Sequence, residues 1–355
     1  MALRLYNHAE QVAAHLRMEL MRGRWTHELP GADRLGAELD VNHTTMGTAI
    51  RLLEQEGLLE YQGAGKPRRI IRPKDARPPG MRVTILLYEK AEEQVDYIVD
   101  LRHRLNEEGH IADYATRTLV ELRMDVAKIA KLVNETQTDA WIIQSGSKPV
   151  LEWFAQQSFP AMALAGRRRG VSIAGVGPDK IPAVEDAVGR LFDLGHRRIV
   201  MLNREERRKP VPGKMERAFL QALEQRGIAT SAYHLPDWEE TAEGLNRSLR
   251  ELFRLTPPTA MIIDGAHLYL AVERHLARMG YQAPTHISLA CLDPSSCFDW
   301  FQPGVAHIRW DSRPMIQRIV RWAHQVAGGN EDIKQTFTKA EFMASGTIGP
   351  APKAE

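Results

Sequence analysis

From residue 83 onward, short apolar runs alternate with amphipathic segments of helix length. Strands that alternate with helices typically form parallel sheets with helices on both faces. The stretch is about 270 residues long, more than one such sheet usually holds, so the sequence predicts two doubly wound α/β lobes. The predicted strands are 83–87, 111–114, 140–143, 161–164, 172–176, 198–202, 260–263 and 287–292, and helices such as 95–105 and 183–194 separate most of them.

Upstream of residue 72 the pattern is mostly helical. Two helices are predicted at 33–39 and 43–56, and Asn42 is suited to cap the second of them. An earlier helix is marked by apolar residues at the spacing of one buried face, which are Ala9, Val12, Ala13, Leu16 and Leu20. The inward stripe of the helix at 43–56 consists of Met46, Ile50 and Leu53.

Two short strands follow at 58–61 and 69–71, joined by the glycine-containing turn 63–65. They predict a β-hairpin, and three helices with a hairpin form the layout of a winged helix-turn-helix. Prolines and charges without a hydrophobic period then predict a linker. The expected domains are a DNA-binding domain at 1–72, the linker at 73–80 and the two-lobed domain at 81–355.

Positive charge is concentrated in one short segment. Residues 1–65 contain six Arg or Lys and nine Asp or Glu, whereas residues 66–82 contain seven basic residues and one acidic residue. This composition fits a contact to nucleic-acid phosphates, and it also fits a solvated basic linker.

The third helix is the expected reader of the DNA major groove. Its outer face carries hydroxyl and basic groups that can reach bases or phosphates, and Gly47 permits a close approach of the backbone. Cationic residues of the wing would contact the phosphate backbone or the minor groove. The predicted DNA-binding residues are Arg34, His43, Thr44, Thr45, Thr48, Arg51, Lys66, Arg68 and Arg69.

Several classes of function have no support in the sequence. It contains no nucleophile elbow, P-loop or dinucleotide fingerprint, so we expect no catalytic residues and no cofactor. The two cysteines, Cys291 and Cys297, lack partners at zinc-ligand spacing, so we expect no metal and a reducing, cytoplasmic compartment. No run of about 18 apolar residues predicts a membrane span.

Residues 6–72 resemble the GntR family of regulators. The resemblance rests on Leu29 and Pro30 and on the segments 35–46 (LGAELDVNHTTM) and 49–59 (AIRLLEQEGLL). It implies a winged-helix fold that binds double-stranded DNA. The chain departs from the family where Ser-Glu-Arg usually follows Leu-Pro, and at two recognition-helix positions that usually carry Arg. Those departures are Gly31, Ala32, Asp33, His43 and Gly47, so the family's operator preference does not transfer.

Residues 82 to about 350 resemble the sensor domain of LacI/GalR-type regulators, whose two-lobed fold is like that of periplasmic sugar-binding proteins. The clearest match is 187–200 (AVGRLFDLGHRRIV), and shorter matches lie at 258–262, 287–293 and 302–305. With a GntR-type head, the arrangement is similar to arabinose-responsive regulators. The resemblance implies a first lobe of about 81–177 and 304–328, and a second lobe of about 178–303 and 329–355.

In such folds a ligand lies between the lobes, at the carboxyl ends of the strands. Aromatic faces stack on sugar C–H groups, while carboxylates and amides pair with hydroxyls. The predicted ligand-binding residues are Tyr88, Glu89, Ser145, Arg167, Trp238, Asp264, Asp293 and Trp300.

Three family positions differ here. The usual Asn-Asp pair after the strand at 260–263 is absent, the customary Arg before the helix near 218 falls on Met215, and the late Arg falls near Ser345. Either the ligand differs from the usual hexose or pentose, or the lobes serve mainly for dimerisation.

The expected function is that of a DNA-binding transcription regulator, a repressor that responds to a small, carbohydrate-like effector. We expect a homodimer, because one module with so few basic groups would bind DNA weakly. Two alternatives stay open. One is an architectural DNA-binding dimer whose sensor fold no longer binds a sugar, and the other is an α/β enzyme with a DNA-targeting head.

Overall fold

The computed structural model describes residues 8–21, 24, 25, 27–63, 65–71 and 80–353. Most of the predicted linker at 73–80 therefore lies outside the described residues, and so does Ala64 in the predicted wing turn. Among the described residues, the strands of 8–71 form one sheet and those of 80–353 form another.

Residues 8–71 form a winged helix-turn-helix. Its elements are α1 (His8–Met21), β1 (Glu28–Leu29), α2 (Ala32–Leu39), α3 (His43–Gln55), β2 (Leu59–Glu60) and β3 (Arg68–Ile70). Strand β3 lies between β1 and β2 and is antiparallel to both, which makes the hairpin of β2 and β3 the wing.

The packing of this domain follows the apolar spacing of its sequence. Met46, Ile50 and Leu53 of α3 are buried against the apolar face of α1, as the inward stripe predicts. Asn42 caps α3, because its side chain accepts a hydrogen bond from the backbone N–H of Thr45 at 2.9 Å. A cap of this kind contributes about 1 kcal/mol to helix stability. The outer face of α3 is thereby left to solvent.

The first lobe is a parallel sheet with helices on both faces. Its elements are β4 (Arg82–Leu86), α4 (Asp96–Glu107), β5 (Ile111–Tyr114), α5 (Val126–Glu135), β6 (Ala140–Gln144), α6 (Lys148–Ala155), β7 (Ala161–Leu164) and β8 (Ala174–Asp179), with a 3₁₀ helix at Lys90–Gln94. The strand order is β5-β4-β6-β7-β8. Strand β6 is buried throughout because Ile142 faces one apolar core and Trp141 faces the other.

The second lobe repeats this design. Its elements are α7 (Ile181–Asp193), β9 (Ile199–Leu202), α8 (Glu205–Arg208), α9 (Lys214–Glu224), α10 (Ala242–Leu255), β10 (Ala260–Ile263), α11 (Ala266–Arg278), β11 (Ser288–Cys291), a 3₁₀ helix at Ser296–Trp300, and β12 (Ala306–Trp310). Strands β12, β11, β10 and β9 are neighbours in that order. Leu245, Leu249 and Phe253, spaced four apart on α10, bury its inner face in this lobe.

One strand completes both sheets. After β12 the chain forms α12 (Arg313–Ala327), which packs Met315 and Trp322 into the core of the first lobe. Strand β13 (Gln335–Met343) then pairs its first half with β8, in parallel, and its second half with β12, antiparallel. In the described part of the chain the two lobes therefore share a ten-stranded sheet. The predicted two-lobed α/β class is confirmed, while the exact domain limits stay a prediction.

Two further features concern the described residues alone. None of their helices is long and apolar enough to cross a membrane. No group of three or more His, Cys, Asp or Glu side chains among them could hold a metal ion.

Candidate functional site

The outer face of α3 carries hydroxyls and a single cationic side chain. Arg51 is the only Arg or Lys in this helix. Its side chain folds along the helix, with Nε donating to the carbonyl of Gly47 at 3.4 Å and Nη2 donating to Oγ1 of Thr48 at 3.2 Å. The Thr48 hydroxyl in turn donates to the carbonyl of Thr44 at 2.9 Å. The face is therefore well ordered but offers little fixed charge to phosphates.

Two of the positions that depart from the GntR pattern lie side by side. Nε2 of His43, at the start of α3, is 3.5 Å from Oδ1 of Asp33 in α2, and both side chains are mostly exposed. A third departure, Gly47, is not required by packing, because no atom lies within 4 Å of the place a Cβ would occupy. A larger side chain there would project freely from the recognition helix.

Two of the three predicted wing cations are paired within the domain. Nε of Arg68 donates to Oε1 of Glu54 at 2.9 Å, and its guanidinium carbon lies 5.2 Å from the centre of the Tyr61 ring. Nη1 of Arg69 is 3.8 Å from Glu60. Lys66 is exposed at the tip and has no carboxylate partner among the described residues. Lys66 is therefore the wing cation most available to a phosphate.

A cleft of about 840 Å³ separates the two lobes. It lies at the carboxyl ends of the strands, where doubly wound folds bind ligands. Six of the eight predicted ligand-binding residues line it, namely Tyr88, Glu89, Ser145, Arg167, Asp264 and Asp293. Its lining also contains ten acidic and ten basic side chains, so its formal charge is balanced.

On the second-lobe side, the cleft is built around buried ion pairs. Asp264 is 2% exposed, and its Oδ2 lies 2.9 Å from Nε of Arg207 and 3.9 Å from Nε of Arg204. Burial is the largest single effect and opposes ionisation of Arg207, but Asp264, Glu216, Glu206 and Asp293 together outweigh it, so the pKa of Arg207 is raised. Arg207 is therefore charged near neutral pH.

A second pair lies nearby. Nζ of Lys180 donates to Oδ1 of Asp293 at 2.5 Å. Burial alone would raise the pKa of Asp293, yet the Lys180 ammonium holds that pKa below its ordinary value. The cleft therefore presents fixed carboxylate acceptors beside fixed cationic donors, the two kinds of group that bind hydroxyls.

Several direct hydrogen bonds also cross the cleft and reach the second lobe in one segment, residues 203–213, named here the latch segment. Nη2 of Arg204 donates to Oε1 of Glu89 at 2.7 Å. Nη2 of Arg167 donates to the carbonyls of Arg207 and Val211 at 2.5 and 2.7 Å. Tyr88 contacts Glu206 in the same segment. The lobes are thus joined by contacts of their own.

On the first-lobe side of the cleft, polar atoms lack partners. Gln144 is 3% exposed, and its Nε2 donates to the Tyr97 hydroxyl at 2.7 Å. Its Oε1 has no donor among the described residues, and Nε1 of Trp310 has no acceptor there. The Tyr97 and Trp310 rings are in edge contact at 5.0 Å. A group that both donates and accepts hydrogen bonds would satisfy this end of the cleft.

Two predicted ligand-binding residues do not line the cleft. Trp238 borders a separate, shallow depression of about 400 Å³, and its Nε1 donates to the carbonyl of Asn203 at 2.9 Å. Trp300 is 89% exposed at the end of a 3₁₀ helix. The structure therefore brings neither ring to the other six residues.

Several side chains that line the cleft are not among the predicted ligand-binding residues. Arg204, Glu206 and Arg207 follow β9 directly and enter the cleft from the latch segment. Their signal was the same as that of Tyr88, since charged residues immediately after a buried strand lie at the carboxyl edge of the sheet. The others are Glu92, Tyr97, Gln144, Lys180 and Glu216.

Comparisons with known families match both parts of the chain. Residues 8–65 match the family described as bacterial regulatory proteins, gntR family, and residues 188–344 match the periplasmic binding protein-like domain. The chain thus carries a GntR-type helix-turn-helix region followed by a periplasmic-binding-protein-like domain, and the predicted resemblances are confirmed.

Named relatives are regulators as well. The chain is similar to the HTH-type transcriptional repressor CytR of Escherichia coli (strain K12), with 24% identity over 43% of this chain and 45% of CytR. It is 28% identical to the HTH-type transcriptional regulator AglR of Rhizobium meliloti (strain 1021), over 49% of this chain and 50% of AglR. The chain therefore spans about half the length of these relatives.

A solved structure shares the fold. The complex of the transcriptional regulator CelR with cellobiose superposes with a TM-score of 0.62 at 16% identity, over 90% of this chain and all of CelR. At this identity the likeness concerns the fold alone.

Proposed function

We propose that this chain, with its GntR-type head and periplasmic-binding-protein-like domain, is a ligand-responsive transcription regulator and not an enzyme. In this proposal the head binds a double-stranded DNA operator, two copies form a dimer, and a small effector in the interlobe cleft changes DNA binding. The observation that carries it is one cleft of about 840 Å³ at the carboxyl ends of both lobes' strands, within the range of about 300–1,000 Å³ for small-molecule sites.

The effector is uncharged and rich in hydroxyls in this proposal. Acidic and basic side chains are equal in number in the cleft lining, so neither sign is in the excess that would select an ionised ligand. Hydroxyl groups can accept from Arg207 and Lys180 and donate to Asp264 and Asp293. One hydroxyl could also satisfy Gln144 Oε1 and Trp310 Nε1. The cellobiose bound to CelR is a compound of this class.

On the DNA side, the interface would consist of the outer face of α3 and the wing tip. Thr44, Thr48 and Arg51 would face the major groove, with Arg34 and Lys66 contacting phosphates. We propose repression as the sign of regulation, a suggestion that draws on the name of CytR.

Selection of bound fragments from the genomic DNA of the source organism tests the DNA-binding half of this proposal. We expect a recurring, two-fold symmetric motif, because a dimer places two heads on two half-sites. Recovery of fragments without a common motif would contradict it. Arg51→Ala is the control variant, since it removes the only cation of the recognition helix.

The effector half is tested by fluorescence anisotropy on the selected operator in the presence of neutral sugars and of their phosphates. We expect one neutral sugar to change operator affinity, and Asp264→Asn to abolish that response while leaving ligand-free DNA binding intact. A response to a sugar phosphate alone would contradict the proposed class.

The second candidate is an architectural DNA-binding dimer. The contacts that cross the cleft favour it, because Arg204–Glu89 and Arg167–Val211 join the lobes without any ligand. Under this candidate no compound would raise the thermal unfolding temperature, whereas a specific effector stabilises the folded chain by mass action.

A further inference from the structure

Tyr88 joins the two lobes through one hydroxyl that is close to two carboxyl groups. Its Oη lies 2.8 Å from Oε2 of Glu206 and 2.9 Å from Oε2 of Glu240. Tyr88 follows β4 in the first lobe, whereas both glutamates belong to the second lobe. Opening of the cleft would therefore separate the phenol from both carboxyl groups.

The number of hydrogens available for the two contacts limits how many of the carboxyl groups can be ionised. A phenol has one hydrogen to donate, and an ionised carboxylate has none. If Glu206 and Glu240 were both ionised, one of the two short contacts would bring two oxygen lone pairs together. If one carboxyl group carries a hydrogen, it donates to the phenol oxygen while the phenol donates to the other carboxylate. Both distances are then ordinary O–H···O hydrogen bonds.

The surroundings of Glu206 indicate which group holds that hydrogen. Burial raises the pKa of Glu206 to about 7, and the charges of Asp264 and Glu240 offset the opposing effect of Arg207. Glu240 has a donor of its own, because the backbone N–H of Glu205 donates to Oε1 of Glu240. The Glu240 carboxyl group therefore already accepts one hydrogen bond at Oε1.

Other charged or titratable groups face the cluster from every element packed against it. Arg204 lies 4.5 Å from the centre of the Tyr88 ring and also pairs with Glu89. Further groups include Arg167 in the loop after β7, Arg207 and Arg208 in α8, Asp264 after β10, and Glu92 in the 3₁₀ helix after β4.

We propose that Tyr88, Glu206 and Glu240 form a binding site for one proton, and that this proton stabilises the closed arrangement of the lobes. The proton comes from solvent when the lobes close and returns to solvent when they open, and no other bond changes. The site acts on the sensor lobes whether or not the chain regulates transcription, so it goes beyond the proposed function.

The sign and size of the effect follow from linkage. In the open arrangement Glu206 faces water, and its pKa returns towards its ordinary value of 4.5. At pH values between 4.5 and about 7, the closed arrangement binds more protons than the open one. The closed-to-open ratio therefore rises as the pH falls below 7, and it levels off below the ordinary pKa of Glu206. Between pH 8 and pH 6 we expect a change of about tenfold in that ratio.

Single-molecule energy transfer across the mouth of the cleft measures this ratio without any ligand. Dyes attached through Val120→Cys in the first lobe and Ala242→Cys in the second lobe would report lobe separation, since both residues are exposed, Val120 N–H donates to the carbonyl of Tyr88, and Ala242 lies two residues after Glu240. The full chain carries Cys297→Ser, because Cys291 is buried and Cys297 is partly exposed. We expect the closed population to grow as the pH is lowered from 8 to 6.

Two isosteric variants should remove the pH response. Glu206→Gln and Glu240→Gln each supply, through an amide N–H, the hydrogen that the protonated carboxyl group provides. Each variant should stay closed at both pH values, and either one suffices if the other fails to fold. Glu239→Gln is the matched control, since Glu239 is exposed beside Glu240 and pairs with Arg247, and it should respond as the wild type does.

Two results would overturn the inference. One is a wild-type closed-to-open ratio that is the same at pH 8 and pH 6. The other is a pH response that persists in both Glu206→Gln and Glu240→Gln, which would assign the proton to another group. Glu92 is the group to test next in that case, because burial raises its pKa to about 7 as well.

Discussion

Arg68 on the wing and Glu54 on the recognition helix are joined by a hydrogen bond of 2.9 Å from Nε to Oε1. Both side chains are only partly exposed, at 32% and 22%. Because the wing and the helix would contact different parts of a DNA duplex, this pair fixes one contact surface relative to the other. Arg68 therefore has a partner within the domain, and its phosphate contact stays a prediction.

The two wing cations should respond differently to salt. Lys66→Ala should reduce the slope of log affinity against log salt concentration by about one, because one phosphate contact is lost. Arg68→Ala should lower the stability of the domain and leave that slope nearly unchanged. Anisotropy titrations on duplex DNA at several salt concentrations measure both. Equal losses of slope in the two variants would show that Arg68 contacts phosphate.

Gly47 offers a gain of function. Gly47→Arg should strengthen binding to duplex DNA about tenfold at low salt and increase the salt slope by about one, because the new side chain projects freely from the recognition helix. Gly47→Ala is the control, and it should stabilise α3 by up to about 1 kcal/mol without changing the slope. The idea fails if Gly47→Arg and Gly47→Ala bind DNA alike.

Asp264 should be a major contributor to the stability of the second lobe. Asp264→Asn removes the buried carboxylate 2.9 Å from Arg207 and one of the two carboxylates beside Arg204, so the free energy of unfolding should fall by roughly 3 kcal/mol. Urea unfolding at pH 7 measures the loss. Asp299→Asn, at an exposed position on the rim of the same cleft, should change stability by less than about 0.5 kcal/mol. Similar losses in the two variants would contradict the role of the ion pairs.

His110 should make the chain sensitive to acid. Its Nδ1 accepts a hydrogen bond from the backbone N–H of Met81 at 3.2 Å, which requires an unprotonated Nδ1. Burial, and then the nearby His324, lower the pKa of His110 to about 4. Between about pH 4 and the ordinary pKa of 6.5, the unfolded chain therefore binds more protons at His110 than the folded chain does. The free energy of unfolding falls as the pH drops through this range.

The expected loss at His110 is roughly 2–3 kcal/mol between pH 7 and pH 4. His110→Asn keeps an acceptor near the position of Nδ1 and should remove most of this dependence. Urea midpoints across the pH range measure it, with His103→Asn at an exposed site of α4 as the comparison. A His110→Asn chain that loses stability in acid as steeply as the wild type would contradict this account.

The residues of the cleft are predicted best where their position depends only on strand polarity. Tyr88, Asp264 and Asp293 each follow a buried parallel strand within a few residues, and strand polarity places all three at one edge of the sheet. Trp238 and Trp300 are predicted to line the cleft because aromatic rings stack on sugar C–H groups. Aromatic rings occupy many environments, however, and here Trp300 faces solvent.

Other elements could not be predicted from local pattern. Strand β13 contains Thr336, Lys339 and Glu341, and only Ala340 and Phe342 among its residues are fully buried. Its pairing depends on both lobes, so no apolar period within the segment marks it. Arg207 enters the cleft only because a helix of four residues turns its side chain towards Asp264, and the length of such a helix is set by tertiary contacts.

Strand β13 has a consequence for biosynthesis. Each lobe has most of its strands in its own stretch of the chain, yet both sheets include residues from 335–343. During translation neither lobe can be completed when its own stretch has left the ribosome, and both must wait for the same nine residues. The nascent first lobe therefore exposes the unpaired edge of β8 throughout synthesis of the second lobe. A chaperone that binds unpaired strand edges would therefore have the longest time to bind at the edge of β8.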